Sequence, residues 1–119
     1  MEFKELQEKV LEWADSHDLL HEKNASKQFL KFIEETFEFK TEMDHLLSYR
    51  KYCDETCNIL PKHAAKKMEL EMGDVFVTLI ILCNQIEIEP QECLELAYDK
   101  IKNRKGETRN GMFYKAEDL

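Results

Sequence analysis

The chain has 119 residues, of which 43% are hydrophobic and 35% charged, and its formal net charge at pH 7 is −8. This length fits one domain, residues 1–119, and the balance of apolar and charged side chains excludes an intrinsically disordered chain. The acidic excess also argues against a nucleic-acid interface over the whole surface, because phosphate backbones repel an acidic protein.

The first half of the chain predicts two helices. Only three Gly and two Pro interrupt the sequence, which favours an all-α fold. Apolar residues at three- and four-residue steps predict an amphipathic first helix from about Phe3 to His17. A connector follows, in which Asn24 or Ser26 is the candidate N-cap of a long second helix that ends near Leu47.

The second half predicts two more helices after an irregular segment. Residues 48–63 show no sustained hydrophobic period and include Pro61, so we expect a loop or a short broken helix there. A third helix is expected from about Ala64 to Gln85. A fourth begins near Pro90, since proline is tolerated in the first turn of a helix, and it ends in a basic tail from about residue 104.

Three acidic side chains lie on one arc of the second helix. At about 100° per residue, Glu38 lies roughly 40° and Glu35 roughly 100° from Glu34, so the three carboxylates can converge. The apolar side chains of this helix lie on its opposite side, among them Leu30, Ile33 and Phe37. Such an acidic arc is also typical of a helix face that only contacts water, because charged faces are common on surface helices.

The third helix carries a narrow polar stripe. Glu71, Asp74 and Thr78 lie among Met, Leu, Val, Phe and Ile, a pattern typical of a buried helix. Buried carboxylates must be protonated, paired with basic groups or bound to a cation. If the second and third helices pack antiparallel, five acids gather, and an all-oxygen ligand set favours Mg²⁺ or Mn²⁺ over zinc. The alternative is a buried ion-pair network involving Lys27, Lys31 and Lys67.

The two acidic motifs together resemble those of the MazG-like branch of the all-α nucleoside triphosphate pyrophosphohydrolases. The first motif, E-E-x-x-E, is EETFE at residues 34–38, and the second, E-x-x-D, is EMGD at residues 71–74. A downstream K-x-x-N-R falls at residues 100–104, and the similarity covers roughly residues 10–106. Thr36 and Phe37 stand where members often carry small residues.

The resemblance implies a four-to-five-helix bundle of the all-α NTP pyrophosphatase type, with its core completed by formation of a homodimer or homotetramer. It implies Mg²⁺-dependent hydrolysis of a nucleoside triphosphate, commonly a deoxynucleotide, to the monophosphate and pyrophosphate, with Mn²⁺ as a substitute ion. Nucleotide-pool housecleaning is the expected role. The expected metal ligands are Glu34, Glu38, Glu71 and Asp74. Glu35, with Glu38, is the expected catalytic residue that orients or deprotonates the attacking water, and the expected phosphate-binding residues are Lys100, Asn103 and Arg104.

Weaker signals leave alternatives open. Trp13 and His17, one turn apart, either stack on a base or cap the core, and Asn84 either reads a sugar or base edge or simply ends a helix. Cys53, Cys57 and His63 allow a zinc site without an evident fourth ligand. A di-iron bundle requires two Glu-x-x-His pairs, whereas Glu42 and His45 supply one.

The remaining expectations concern the cellular location and the partners of the protein. The start of the chain has no basic segment followed by an apolar one, so we expect a soluble, cytoplasmic protein with reduced cysteines and no membrane partner. The non-catalytic alternative is a helical interaction protein that presents an acidic face to a basic partner.

Overall fold

The computed structural model describes residues 1–52 and 59–119. Within these ranges the fold is mostly helical, as predicted. Its α-helices are α1 (Phe3–Ser16), α2 (Ala25–Tyr52), α3 (Ile59–Gln85) and α4 (Pro90–Ile101), and short 3₁₀ turns cover Glu22–Asn24 and Ala116–Asp118. The chain forms two compact units, Met1–Glu87 and Ile88–Leu119.

The first unit is built on an antiparallel pair of helices, α2 and α3. The side-chain amide of Gln28 donates a hydrogen bond to the backbone carbonyl of Thr78 at 3.2 Å. Seven residues later on α2, Glu35 meets Glu71 and Asp74, which lie earlier on α3. The two helices therefore run in opposite directions, which is the condition under which the acidic stripes can meet.

The first helix packs on α3 and completes the core of this unit. The rings of Phe3 and Phe76 meet edge to face with centroids 6.0 Å apart. At the other end of α1, the side-chain amide of Gln85 donates to the carbonyl of Leu19 at 2.7 Å. The buried apolar residues are Ala14, Leu46, Ala64, Ile80, Ile81 and Cys83. This core is small, and it consists mostly of small and medium-sized side chains.

Residues 48–63 were expected to form a loop or a short broken helix, but both ends of this segment belong to the long helices. Helix α2 continues to Tyr52 and α3 already begins at Ile59. Pro61 does not interrupt α3 because it is the third residue of that helix, and the first turn has no intrahelical acceptor for its missing N–H. Residues 53–58 lie outside the described part of the chain.

The side of α2 that faces α3 is the acidic one. Glu35 is 8% exposed and Leu46 is 2% exposed, whereas the apolar Leu30 and Phe37 are 66% and 62% exposed. Packing against α3 thus places a carboxylate inside and leaves the apolar stripe of α2 at the surface of this chain.

The second unit joins α4 to a β-hairpin. The side chain of Glu89 caps α4 by accepting a hydrogen bond from the backbone N–H of Glu92 at 2.9 Å. After α4, strands β1 (Gly106–Arg109) and β2 (Met112–Lys115) pair antiparallel.

Two residues connect these strands. Asn110 and Gly111 have φ values of 52° and 79°, the conformation of a type I′ turn. The expected basic tail is therefore an ordered hairpin, which adds a two-stranded sheet to the helical fold. In the described ranges, no helix has both the length and the apolar character needed to cross a membrane.

Candidate metal centre

Three carboxylates from the two long helices converge in the first unit. Glu35 of α2 and Glu71 and Asp74 of α3 each offer an oxygen, and these oxygens all lie within 4.8 Å of one another. Glu35 is buried, Glu71 is half-buried and Asp74 is exposed. The group therefore spans from the helix interface to the surface, so that a cation could enter from solvent.

Two of these carboxylates have an oxygen without a hydrogen-bond partner. Among the described residues, no donor reaches the buried Oε2 atoms of Glu35 and Glu71. Leaving a buried polar atom unpaired costs about 1–3 kcal/mol, and more if it is charged. A divalent cation bound by oxygen ligands would remove this cost, so the donor set fits Mg²⁺ or Mn²⁺.

One lysine supplies part of the counter-charge. The ammonium of Lys31 lies 3.1 Å from Glu35 Oε1 and 3.5 Å from Glu34 Oε2. Its hydrogen bond to Glu35, followed by the charge of Glu34, raises the pKa of Lys31 and keeps it protonated. The ion-pair alternative is thus partly realised, since in the described part of the chain the half-exposed Lys31 is the lysine that pairs with these acids.

Glu34 and Glu38 lie at the edge of the three-carboxylate group. Glu34 is exposed, and its described contact is with Lys31. Glu38 is exposed as well, but the pKa of its carboxyl is raised, first by a hydrogen bond with the Glu35 carboxyl and then by the charge of Glu35. Desolvation and the charges of Glu71 and Glu34 raise it further. Glu38 is therefore coupled electrostatically to the centre.

The five predicted acids differ in how closely their oxygens approach one another and in how exposed they are. Glu35, predicted to act on water, shares the closest group with Glu71 and Asp74. Glu34 and Glu38, predicted as ligands, are the more exposed pair. A helical projection places all three glutamates on one arc, but it does not indicate which part of that arc faces the neighbouring helix.

The predicted phosphate-binding residues lie in the second unit. Lys100 and Arg104 line a pocket of about 320 Å³, together with Lys105, Lys115, Ala116 and Glu117. Asn103 is exposed and is not among these lining residues. Lys115 is not among the predicted residues, because the sequence from about residue 104 indicates only a basic tail.

Two of the predicted base-contacting residues of the first unit, Trp13 and His17, form a ring pair whose planes are tilted by 33°. The rings of Trp13 and His17 have centroids 4.5 Å apart, and His17 Nδ1 lies 2.8 Å from the Trp13 carbonyl oxygen. Trp13 is 51% exposed, so it does not cap the core. It lines an apolar groove of about 390 Å³ with Leu6, Lys9, Val10 and Val77. Asn84 is exposed near the end of α3.

The weaker metal hypotheses gain no support. Cys53 and Cys57 lie outside the described residues, and His63 is exposed. Glu42 and His45 do approach each other, with 3.6 Å between Oε2 and Nδ1. Within the described ranges, however, the carboxylate group of α2 and α3 is the cluster whose oxygens converge closely enough to hold an ion.

Comparison with known proteins places the chain in a family. No curated protein and no solved structure matches it. The model of the MazG nucleotide pyrophosphohydrolase domain matches residues 24–108, a stretch that holds all five acids and the residues of the K-x-x-N-R motif. The chain therefore belongs to the MazG nucleotide pyrophosphohydrolase family.

Proposed function

We propose that the protein hydrolyses a nucleoside triphosphate, deoxynucleotides included, to the monophosphate and pyrophosphate in a Mg²⁺-dependent reaction. The observation that carries this proposal is the convergence of Glu35, Glu71 and Asp74, two of which keep a buried oxygen without a partner. Membership of the pyrophosphohydrolase family supports it. Removal of unwanted nucleotides from the cellular pool is the role that we propose for this activity.

We propose Glu71, Asp74 and Glu35 as the residues that hold Mg²⁺, with Mn²⁺ as a substitute. When bound, the ion would neutralise phosphate charge and acidify a coordinated water. Glu38 is exposed beside Glu35, so its carboxylate is our candidate for orienting the attacking water and accepting its proton. Glu34 would add negative charge at the edge of the centre.

We propose that Lys100 and Arg104 bind the β- and γ-phosphates of the substrate. Both line the basic pocket of the second unit, where an Arg guanidinium can form paired hydrogen bonds with phosphate oxygens. Trp13, with its exposed ring beside His17, is our candidate for stacking on the base.

The test is a panel of nucleotides with Mg²⁺ or Mn²⁺ and detection of released pyrophosphate. Glu71→Gln and Asp74→Asn should each lower the rate by at least about 100-fold, the scale seen when an electrostatic catalytic contact is lost. Glu69→Gln is the matched control, because Glu69 lies on the same helix but pairs with Lys66 at 3.7 Å. Full activity in both site variants, or activity without a divalent ion, would overturn the proposal.

The second candidate is a non-catalytic protein that binds a basic partner through its acidic face. The Lys31 ion pairs favour it, because they show that a cationic side chain can occupy this face. The two candidates differ in thermal melting. Mg²⁺ with a nonhydrolysable nucleotide should raise the Tm of an enzyme that binds them in its native state, and should leave the interaction protein unchanged.

A further inference from the structure

The second unit contains a basic pocket at the junction of α4 and the hairpin. Four cationic side chains line it, Lys100 and Arg104 from α4 and the residues that follow it, and Lys105 and Lys115 from the base of the hairpin. One carboxylate, Glu117, also lines it. The lining therefore has an excess of three positive charges, in a protein whose overall charge is −8.

The cations that line the pocket differ from the other cations of this unit in their ion pairing. Lys102 pairs with Asp99 at 3.1 Å, and Arg109 pairs with Glu107; neither cation lines the pocket. The four cations of the pocket have no ion-pair partner among residues 1–52 and 59–119. Like charges held together without a partner repel one another, and a bound anion would remove that repulsion.

The hairpin fixes the positions of its two lysines. Lys115 pairs across the sheet with Gly106, and the backbone N–H of Ala116 donates to the carbonyl of Lys105 at 2.8 Å. A Cβ atom at position 106 would collide with the carbonyl oxygen of Tyr114, so only glycine allows this close approach. Arg104 and Lys115 are half-buried, which restricts the positions available to their charged ends.

The chemistry of the pocket is that of a phosphate site. Its ligating groups are ammonium and guanidinium donors without a thiol or imidazole, and these bind oxyanions through charge-assisted hydrogen bonds. Carbonyl groups at the end of α4 contribute only about half a negative charge, too little to cancel four cations. A condensed phosphate, with several charges on neighbouring groups, suits this excess better than a single phosphate group.

We propose that Lys115 is a further phosphate-binding residue, and that the pocket formed by Lys100, Arg104, Lys105 and Lys115 binds a di- or triphosphate group. That this group belongs to a nucleotide substrate or to the pyrophosphate product rests on the proposed function. The binding itself does not.

Tripolyphosphate is the probe for binding, titrated into the full chain by calorimetry without divalent ions. Lys115→Gln should raise the Kd for tripolyphosphate by about three- to tenfold. This is the range expected when one partly exposed charge-assisted contact is lost. Lys115→Arg should stay close to the wild type, since it keeps the charge. Orthophosphate should bind more weakly than tripolyphosphate.

Lys102→Gln is the matched control, because it removes the same charge two residues from Lys100 but outside the pocket. It should leave the Kd close to the wild-type value. Equal weakening by Lys102→Gln and Lys115→Gln would indicate a general charge effect and would overturn the proposal. An unchanged Kd in Lys115→Gln would also overturn it.

Steady-state kinetics separate this inference from the proposed function. If the protein hydrolyses nucleotides, Lys115→Gln should raise KM with little change in kcat, as expected for a binding contact made equally in the ground and transition states. If Lys115→Gln hydrolyses nucleotides with unchanged KM and Kd, the role of Lys115 is rejected and the proposed function is retained. If tripolyphosphate binding depends on Lys115 but no nucleotide is hydrolysed, the proposed function is rejected and the role of Lys115 is retained.

Discussion

At the scale of single residues, the carboxylates of the candidate centre oppose folding when no cation is bound. The raised pKa of Glu38 reports this, because its carboxyl binds a proton more tightly in the folded protein than in the unfolded chain. At a pH above its raised pKa, the ionised Glu38 therefore destabilises the folded state. The contribution is favourable only at lower pH, where the group is protonated.

We predict that Glu38→Gln raises the Tm of the metal-free protein while it lowers pyrophosphate release. The neutral amide keeps the shape of the side chain and removes the repulsion from Glu35 and Glu71. Differential scanning calorimetry in EDTA measures the effect. Glu69→Gln is again the control and should not raise the Tm, because it removes an attraction to Lys66. A lower Tm for Glu38→Gln would show that the cluster is not repulsive.

Part of the centre could be predicted from the sequence and part could not. Glu71 and Asp74 stand out because apolar residues surround them, and the structure brings them within reach of α2. The burial of Glu35 was not predicted, since the three glutamates of the first motif share one arc. Which of them is buried depends on the side of α2 that packs on α3, and Gln28 and Leu46 mark that side.

At the scale of secondary-structure elements, the hairpin has a turn signal in its sequence, Asn110 followed by Gly111. Asn-Gly between two short segments is the strongest local signal for a type I′ turn, and residues 110–111 form that turn. The sequence also predicts α2 and α3 to be shorter than they are in the structure. Both helices extend into the segment that lacks a hydrophobic period, because buried Leu46 and Ala64 anchor them near those ends.

We predict that Gly111→Ala destabilises the hairpin by about 1–2 kcal/mol, the cost of forcing a residue with a Cβ into the left-handed region. Gly111 has a φ of 79°. Amide hydrogen exchange of the residues in β1 and β2 measures the change as faster exchange. Asn110→Gly is the control, because glycine adopts the φ of 52° found there. Unchanged exchange in Gly111→Ala would contradict the turn.

At the scale of the whole molecule, charge is divided along the sequence. Residues 100–109 carry a net charge of +4, which leaves −12 for the remainder. This division could be counted from the sequence alone, and the structure adds that the basic residues of the second unit are partly collected in a pocket. In the first unit, the carboxylates of Glu35, Glu71 and Asp74 lie close together between α2 and α3.

The first unit also exposes much apolar surface. Leu30, Ile33 and Phe37 lie one helical turn apart along the side of α2 that faces away from α3, and all three are exposed. No large side chain is fully buried in the described residues. Covering one large apolar side chain contributes about 1.5–3 kcal/mol, so burying this stripe twice in a symmetric pair would stabilise the protein considerably.

We therefore predict that the protein is a homodimer or homotetramer that uses the stripe Leu30, Ile33 and Phe37. Phe37→Asp should reduce the mass measured by light scattering to that of the monomer, 14.2 kDa, because the interface would then bury an unpaired charge. Leu94→Asp is the control, an equally exposed leucine on α4. Loss of mass in Leu94→Asp but not in Phe37→Asp would move the interface to α4. A monomeric wild type would mean that the exposed stripe of α2 does not pair with a second copy.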